Sequence, residues 1–249
     1  VASSRELLDK EQGDLWDSGQ VHSDESVHIV YDGKTLITGQ KCFWKVRLAD
    51  EQGNWTSWSE PAYWQMGLFA DDWSAHWIGS AEMESQSVGG RPVDNKMFDP
   101  WFRKTFTLTE SLKEALIYVA SIGYHELYVN GCKIGNAVLA PSVTDHKSRA
   151  RYVTHDISHY LKKAENVIAL WLGTSWAVFP AYQRNDKPAI PMALAQAEIT
   201  LTSGSKVRVI TDGSWKTHAS PNVLMGYWDA HHFAGEFYDA SLEINGWNE

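Results

Sequence analysis

A chain of 249 residues, 43% hydrophobic and 21% charged, has the composition of a globular protein and room for one large domain or two ordinary ones. Its net charge of −9, with no local cluster of Lys or Arg, repels phosphate backbones and anionic lipid heads, so nucleic acid is excluded as the expected partner. No apolar run approaches the eighteen or so residues of a membrane helix, and no basic-then-apolar leader opens the chain.

Cys42 and Cys132 lie far apart and offer neither a disulfide framework nor zinc-ligand spacing; both are expected as buried free thiols. Thirteen tryptophans against eight phenylalanines is an unusual excess, and some of these indoles are expected as surface platforms.

The opening Val1-Ala2-Ser3 reads like the middle of a strand and not like a natural N-terminus, so the true beginning is expected upstream. Val27 to Tyr31, closing on Asp32-Gly33, predicts a short strand with a turn. Lys41 to Leu48 alternates Cys42, Trp44, Val46 and Leu48 on one face with Phe43, Lys45 and Arg47 on the other, the pattern of a half-buried strand. Turn formers from Asp50 to Asn54 and a tryptophan-rich stretch from Trp55 to Pro61 lead into Tyr63 to Met66, completing a hairpin. Only three or four strands precede Met66, where an immunoglobulin-like sandwich uses about seven. Residues 1–67 therefore read as a truncated sandwich.

From 68 to 100 the apolar periodicity lapses except at Trp73 and Trp77-Ile78, and this stretch reads as linker and inserted loop. Residues 101–249 form a second all-β domain. Its predicted strands begin at Phe102 to Phe106 and Ala115 to Ala120, and His125 to Val129 turns through Asn130-Gly131 into Lys133-Ile134, a strong hairpin signal. Val167 to Leu172 is apolar on both faces, as a central strand would be, and Ile199 to Leu201, Val207 to Ile210 and Leu242 to Ile244 supply more strands. Asp156 to Leu161 is the best helix candidate, one turn capped by Asp156.

Several segments, in this order, resemble the N-terminal region of bacterial α-L-rhamnosidases of glycoside hydrolase family 78. They include Gly13 to Gly19, Trp44 to Arg47, Trp58 to Pro61, Trp77-Ile78, Gly123 to Gly131, Leu139 to Pro141 and Gly235-Glu236. The resemblance implies a fibronectin type III-like sandwich followed by a jelly-roll, galactose-binding-like sandwich, with a catalytic (α/α)6 barrel further along the chain. It also implies an inverting hydrolysis by two barrel carboxyls, about 6.5 to 9.5 Å apart so that a water fits between. Nothing here resembles that barrel, so no catalytic residue is assigned to this chain and catalysis requires no cofactor from it. The expected partners are a rhamnose-containing glycan and the barrel of the same enzyme, in a periplasmic or secreted bacterial setting.

Sugar recognition needs an aromatic face for pyranose C–H groups and a few oriented polar atoms, or a calcium ion shared between protein and sugar oxygens. The loop from Gly173 to Pro188 concentrates such groups, and Trp176, Tyr182, Asn185 and Asp186 are the carbohydrate-binding candidates. Asn130, Asp186, Asp94 and Asn95 are the candidate calcium ligands; against this, Asn130 is the residue type a tight hairpin turn requires and Asp186 is ordinary as a solvated charge. His231 and His232 are neighbours on a strand and face opposite ways, which argues for a domain interface over a shared metal ion. Trp55-Thr56-Ser57-Trp58-Ser59 approximates the tryptophan-serine box of cytokine receptors, but paired cysteines are lacking, so a ladder with Lys45 and Arg47 stiffening one edge is expected instead. The main alternative in function is a freestanding carbohydrate-binding or cell-surface interaction module.

Overall fold

The computed structural model describes residues 1–80, 96–146, 148–174, 190–225 and 235–249. The chain divides into two units, Val1–Trp73 and Ser74–Glu249. Residues 74–80 and 96–100, which read as linker in the sequence, thus belong to the second unit and supply strands to both of its sheets.

The first unit is sparse in regular structure. Its helix α1 (Arg5–Asp9) was not evident from apolar periodicity; it starts because Ser4 is extended and its hydroxyl accepts the Leu7 N–H at 3.2 Å. Strands β1 (Lys41–Trp44) and β2 (Ala62–Gln65) pair antiparallel with Cys42 opposite Trp64, and Ala2 bridges to Phe43. The predicted continuation of β1 to Leu48 persists only as isolated hydrogen bonds, Ser59 N–H to Val46 O and Thr56 N–H to Leu48 O, both 2.8 Å. Val46 and Leu48 are exposed, so the face expected to be buried is buried only at Cys42.

The other face behaves as the alternation predicts. Arg47 lies 4.7 Å from the Trp55 ring and 4.5 Å from the Trp58 ring, and Lys45 lies 4.8 Å from Trp58, a cation-π ladder along the strand. Val27 to Tyr31 is not a strand. Ile29 and Val30 are 61% and 80% exposed, and no described strand pairs with them. Tyr31 is held instead by its own side chain, edge-on to Trp16 at 5.4 Å with its hydroxyl donating to Lys34 O at 2.8 Å.

The second unit is a β-sandwich. One sheet has the order β11 (Lys206–Ile210), β10 (Met192–Leu201), β5 (Leu112–Ile122), β8 (Tyr152–Asp156), with β3 (Ile78–Gly79) also paired to β10. The other runs β13 (Gly235–Tyr238), β12 (Lys216–Met225), β4 (Lys96–Thr107), β9 (Glu165–Gly173), β6 (Tyr124–Val129), β7 (Cys132–Lys133). Period-2 alternation sends Ala115, Ile117 and Val119 of β5 and Ala193, Ala195, Ala197 and Ile199 of β10 into one apolar cluster. Phe102, Leu127, Val129, Ile168, Leu170 and Leu172 enter the same cluster from the six-stranded sheet.

As its sequence predicts, β9 is buried on both faces. Its outer residue Trp171 stands directly across from Trp101, and Trp247 stacks on Trp101 at 4.4 Å with the planes 6° apart, covering the sheet from outside. The short β3 is fixed by buried polar groups: Gln196 Oε1 accepts the N–H groups of Ser74 and Ala75, and Thr211 accepts the His76 N–H through its carbonyl while its hydroxyl donates to His76 O.

Asn130 and Gly131 adopt positive φ, +48° and +80°, as the predicted two-residue hairpin turn demands. Asp156 to Leu161 does make a single turn, a 3-10 helix at Ser158–Tyr160, but its N-cap residue is Ile157, which makes no side-chain cap bond; Asp156 accepts the Ser158 N–H at 2.9 Å from one residue before it. Two expectations are corrected. Leu242 to Ile244 forms no strand; the chain makes a 3-10 turn at Ala240–Leu242 with Leu242 and Ile244 exposed. Cys132 is exposed, because β7 is a two-residue strand at the sheet edge with both residues turned to solvent, whereas Cys42 is buried as expected.

Candidate functional site

The antiparallel register of the six-stranded sheet brings the start of β4, the end of β9, the end of β12 and the start of β13 to one end. Residues 81–95 precede β4, 175–189 follow Thr174, and 226–234 join β12 to β13. At this rim sits a buried carboxylate. Asp99, 2% exposed, accepts at Oδ1 from the Thr174 N–H (2.7 Å) and hydroxyl (2.5 Å), and at Oδ2 from Asn222 Nδ2 (2.5 Å). One acid thereby ties together β4, β12 and the residue from which the 175–189 segment departs.

Tyr124 completes the rim. It faces Gly173 across the β6–β9 pair, and a Cβ at Gly173 would lie 2.0 Å from the tyrosine ring, so only glycine lets the ring cross β9. Its hydroxyl donates to Glu236 Oε1 of β13 at 3.1 Å. Burial raises the Asp99 carboxyl to about 6 despite the stabilising hydrogen bonds from Thr174 and Asn222, and the charge of Glu236 adds to the rise. Burial likewise pushes the Tyr124 phenol up, reinforced by Asp99 and Glu236. Near neutral pH the Tyr124 phenol is therefore neutral, beside the raised Asp99 carboxyl. Such a rim can orient hydroxyl-bearing ligands through the exposed Glu236 and the half-buried Tyr124, while Asp99 ties the strand ends together.

A second set of titratable groups lies within the sandwich. His125 points from β6 to the same side as Leu127 and Val129, 3.0 Å from Ser121 Oγ by its Nδ1, with the His155 ring 6.3 Å away. Burial, helped by His155, lowers His125 to about 3 and burial lowers His155 too, so both imidazoles are neutral in the folded protein.

Of the residues singled out in the sequence, Trp176, Tyr182, Asn185 and Asp186 lie outside the described residues, as do Asp94, Asn95, Asp229, His231 and His232. The structure does describe the segment's anchor, Thr174. Asn130 is committed to the fold: Oδ1 accepts the Val167 N–H at 2.8 Å, and Nδ2 donates to Tyr160 O at 2.7 Å and Asn166 Oδ1 at 2.9 Å. Its amide thus binds the turn to the neighbouring strand at both ends. Among the described residues no group of three or more His, Cys, Asp or Glu side chains is arranged to hold a metal ion. Sequence reasoning missed the Asp99 cluster, whose partners Thr174 and Asn222 are 75 and 123 positions away.

Residues 110–249 match the family model described as the α-L-rhamnosidase N-terminal domain, and residues 1–70 match that of the Rha78A-like N-terminal immunoglobulin domain. An α-L-rhamnosidase of Formosa agariphila is 32% identical over 99% of this chain, which spans 26% of that protein's length. The solved α-L-rhamnosidase of Dictyoglomus thermophilum superposes with a TM-score of 0.84 at 34% identity, covering 99% of this chain and 27% of that one. The α-L-rhamnosidase of Aspergillus terreus gives 0.74 at 27% identity, covering 92% and 26%. The chain spans about a quarter of each of these relatives. With its two β units matched in order and more than half of the whole chain covered by the second match, the chain belongs to the α-L-rhamnosidase N-terminal domain family.

Proposed function

We propose that this chain is the non-catalytic N-terminal part of an inverting α-L-rhamnosidase, recognising rhamnosylated substrate and bracing the catalytic barrel. The observation that carries this reading is the coverage: nearly the whole chain aligns with α-L-rhamnosidases, yet it accounts for about a quarter of their length. The rim supports a recognition role, because Asp99 and Thr174 anchor the segment that holds Trp176, Tyr182, Asn185 and Asp186. In that role the aromatic rings stack on pyranose C–H groups and the oxygen side chains meet hydroxyls. Calcium enters only as an ion that Asp186, Asp94 and Asn95 have the chemistry to bind.

Calorimetric titration with L-rhamnose tests the recognition role. Trp176→Ala, Tyr182→Ala and Asp186→Ala should each weaken binding by about 1 to 3 kcal/mol, and a chelator should reproduce the Asp186 effect if calcium bridges protein and sugar. Unchanged affinity in all three variants would remove the loop from the reading.

A further inference from the structure

A cleft of about 360 Å³ opens elsewhere on the second unit, where β3 and the turn between β11 and β12 meet β4. Its lining combines the aromatic and apolar side chains of Trp77, Trp215, Ile78 and Phe102 with the polar side chains of His76, Asp212 and Thr217. Its volume falls within the range of small-molecule sites, and a few convergent polar groups on an apolar, aromatic base are the usual make-up of such sites.

Each wall is fixed in place. The Trp215 indole N–H donates to Ile210 O at 2.7 Å and the ring packs against the core, so this platform does not have to be ordered by a ligand. Trp77 is held through its neighbour: the backbone of His76 is bonded on both sides to Thr211, and Ile78 pairs with Ala193. The Trp77 indole nevertheless remains 42% exposed, a large apolar face left beside polar groups.

Asp212 supplies the directional chemistry. Its Oδ1 accepts the N–H and hydroxyl of Ser214, which together hold the carboxyl below its ordinary range, with Lys104 and His76 lowering it further. The group is thus an ionised acceptor at neutral pH, with Oδ2 not drawn into the Ser214 turn. His76 and Thr217 are exposed beside it, one offering an imidazole and the other a hydroxyl. No net positive charge lines the cleft to attract an anion, and its one carboxylate disfavours an acidic sugar.

We infer that this cleft is a second carbohydrate subsite, binding a neutral pyranose with its C–H face on Trp77 and vicinal hydroxyls donating to Asp212 Oδ2. It rests on the reading of the chain as a glycan-recognising part of the enzyme, but on residues distinct from the 175–189 segment.

The test is ¹H–¹⁵N NMR of the whole chain titrated with methyl α-L-rhamnopyranoside, following the indole N–H of Trp77, identified by its loss in Trp77→Phe. The inference predicts a saturable shift of that resonance. Asp212→Asn should weaken the binding about tenfold with the remaining spectrum intact, and Trp77→Ala should abolish the shifts of Trp215, whereas Trp176→Ala should leave the Trp77 response unchanged. A Trp77 resonance that does not move, or one whose response is insensitive to Asp212→Asn, overturns the subsite. If the sugar then binds only through Trp176, the cleft is refuted while the proposed function stands; if neither site responds, glycan recognition by this chain fails with it.

Discussion

The two units reach order by different means. In Val1–Trp73 buried apolar side chains are few, among them Ala2, Leu8, Leu15, Cys42 and Leu68, while Val27, Ile29, Val30 and Leu48 stand in solvent. Its strands β1 and β2 are four residues each, and Lys45 and Arg47 stacked on Trp55 and Trp58 take over where ladder hydrogen bonding becomes intermittent. Ser74–Glu249 encloses a continuous cluster drawn from both sheets, with β9 and β5 buried on both faces. Hydrophobic burial scales with the area removed from water, so side-chain truncation should be costly in the second unit and cheap over much of the first.

The largest effect expected is at Leu170, fully buried at the centre of β9. Leu170→Ala should lower the stability of the second unit by about 2 to 5 kcal/mol in urea unfolding, whereas Val30→Ala in the first should stay within about 0.5 kcal/mol. Equal losses at the two positions would erase the contrast.

Acid separates the units next. His125 is lowered to about 3 from an ordinary value near 6.5, so the unfolded chain takes up its proton first. The stability it contributes is complete above about pH 6.5 and is lost as pH falls toward 3, about 2 to 3 kcal/mol by pH 4.5. Asp99 works in the opposite direction: raised to about 6, it favours the folded state while protonated, and that contribution disappears as pH rises through about 6. Denaturant midpoints against pH should therefore show a shallower acid loss in His125→Gln and a steeper one in Asp99→Asn. Parallel profiles for the three proteins would contradict the assignment of these two groups.

The smallest effect concerns the ladder. Arg47 touches two indoles at an exposed site, and Arg47→Ala should cost about 1 kcal/mol in the first unit and alter tryptophan fluorescence, with no change in the second unit's midpoint. Arg47→Lys should recover only part of it, because a compact ammonium cannot lie flat against both rings.

Legibility in the sequence follows the same contrast. Where a segment carries its own instruction, the reading survives: Asn130-Gly131 sets the β6–β7 turn, and the unbroken apolar run from Val167 to Leu172 marks a central strand. Val27 to Tyr31 has the composition of a strand, but strand formation depends on a pairing neighbour that local pattern does not reveal. Helix α1 is too short for apolar periodicity to announce and is betrayed only by its Ser4 cap. The aromatic and oxygen side chains after Gly173 stand out by composition but lie outside the described residues. Asp99 does not stand out, since a lone acid before Pro100 becomes meaningful only when folding brings Thr174 and Asn222 to it.

We propose that this chain serves an α-L-rhamnosidase without performing its chemistry. Hydrolysis of an aryl α-L-rhamnoside tests this most directly, comparing residues 1–249 with a longer protein, the full-length α-L-rhamnosidase of Formosa agariphila, 26% of which this chain spans. The chain alone should show no turnover and the longer protein should release rhamnose with inversion. Turnover by residues 1–249 that survives purification to homogeneity and vanishes on substituting a residue of this chain would contradict it.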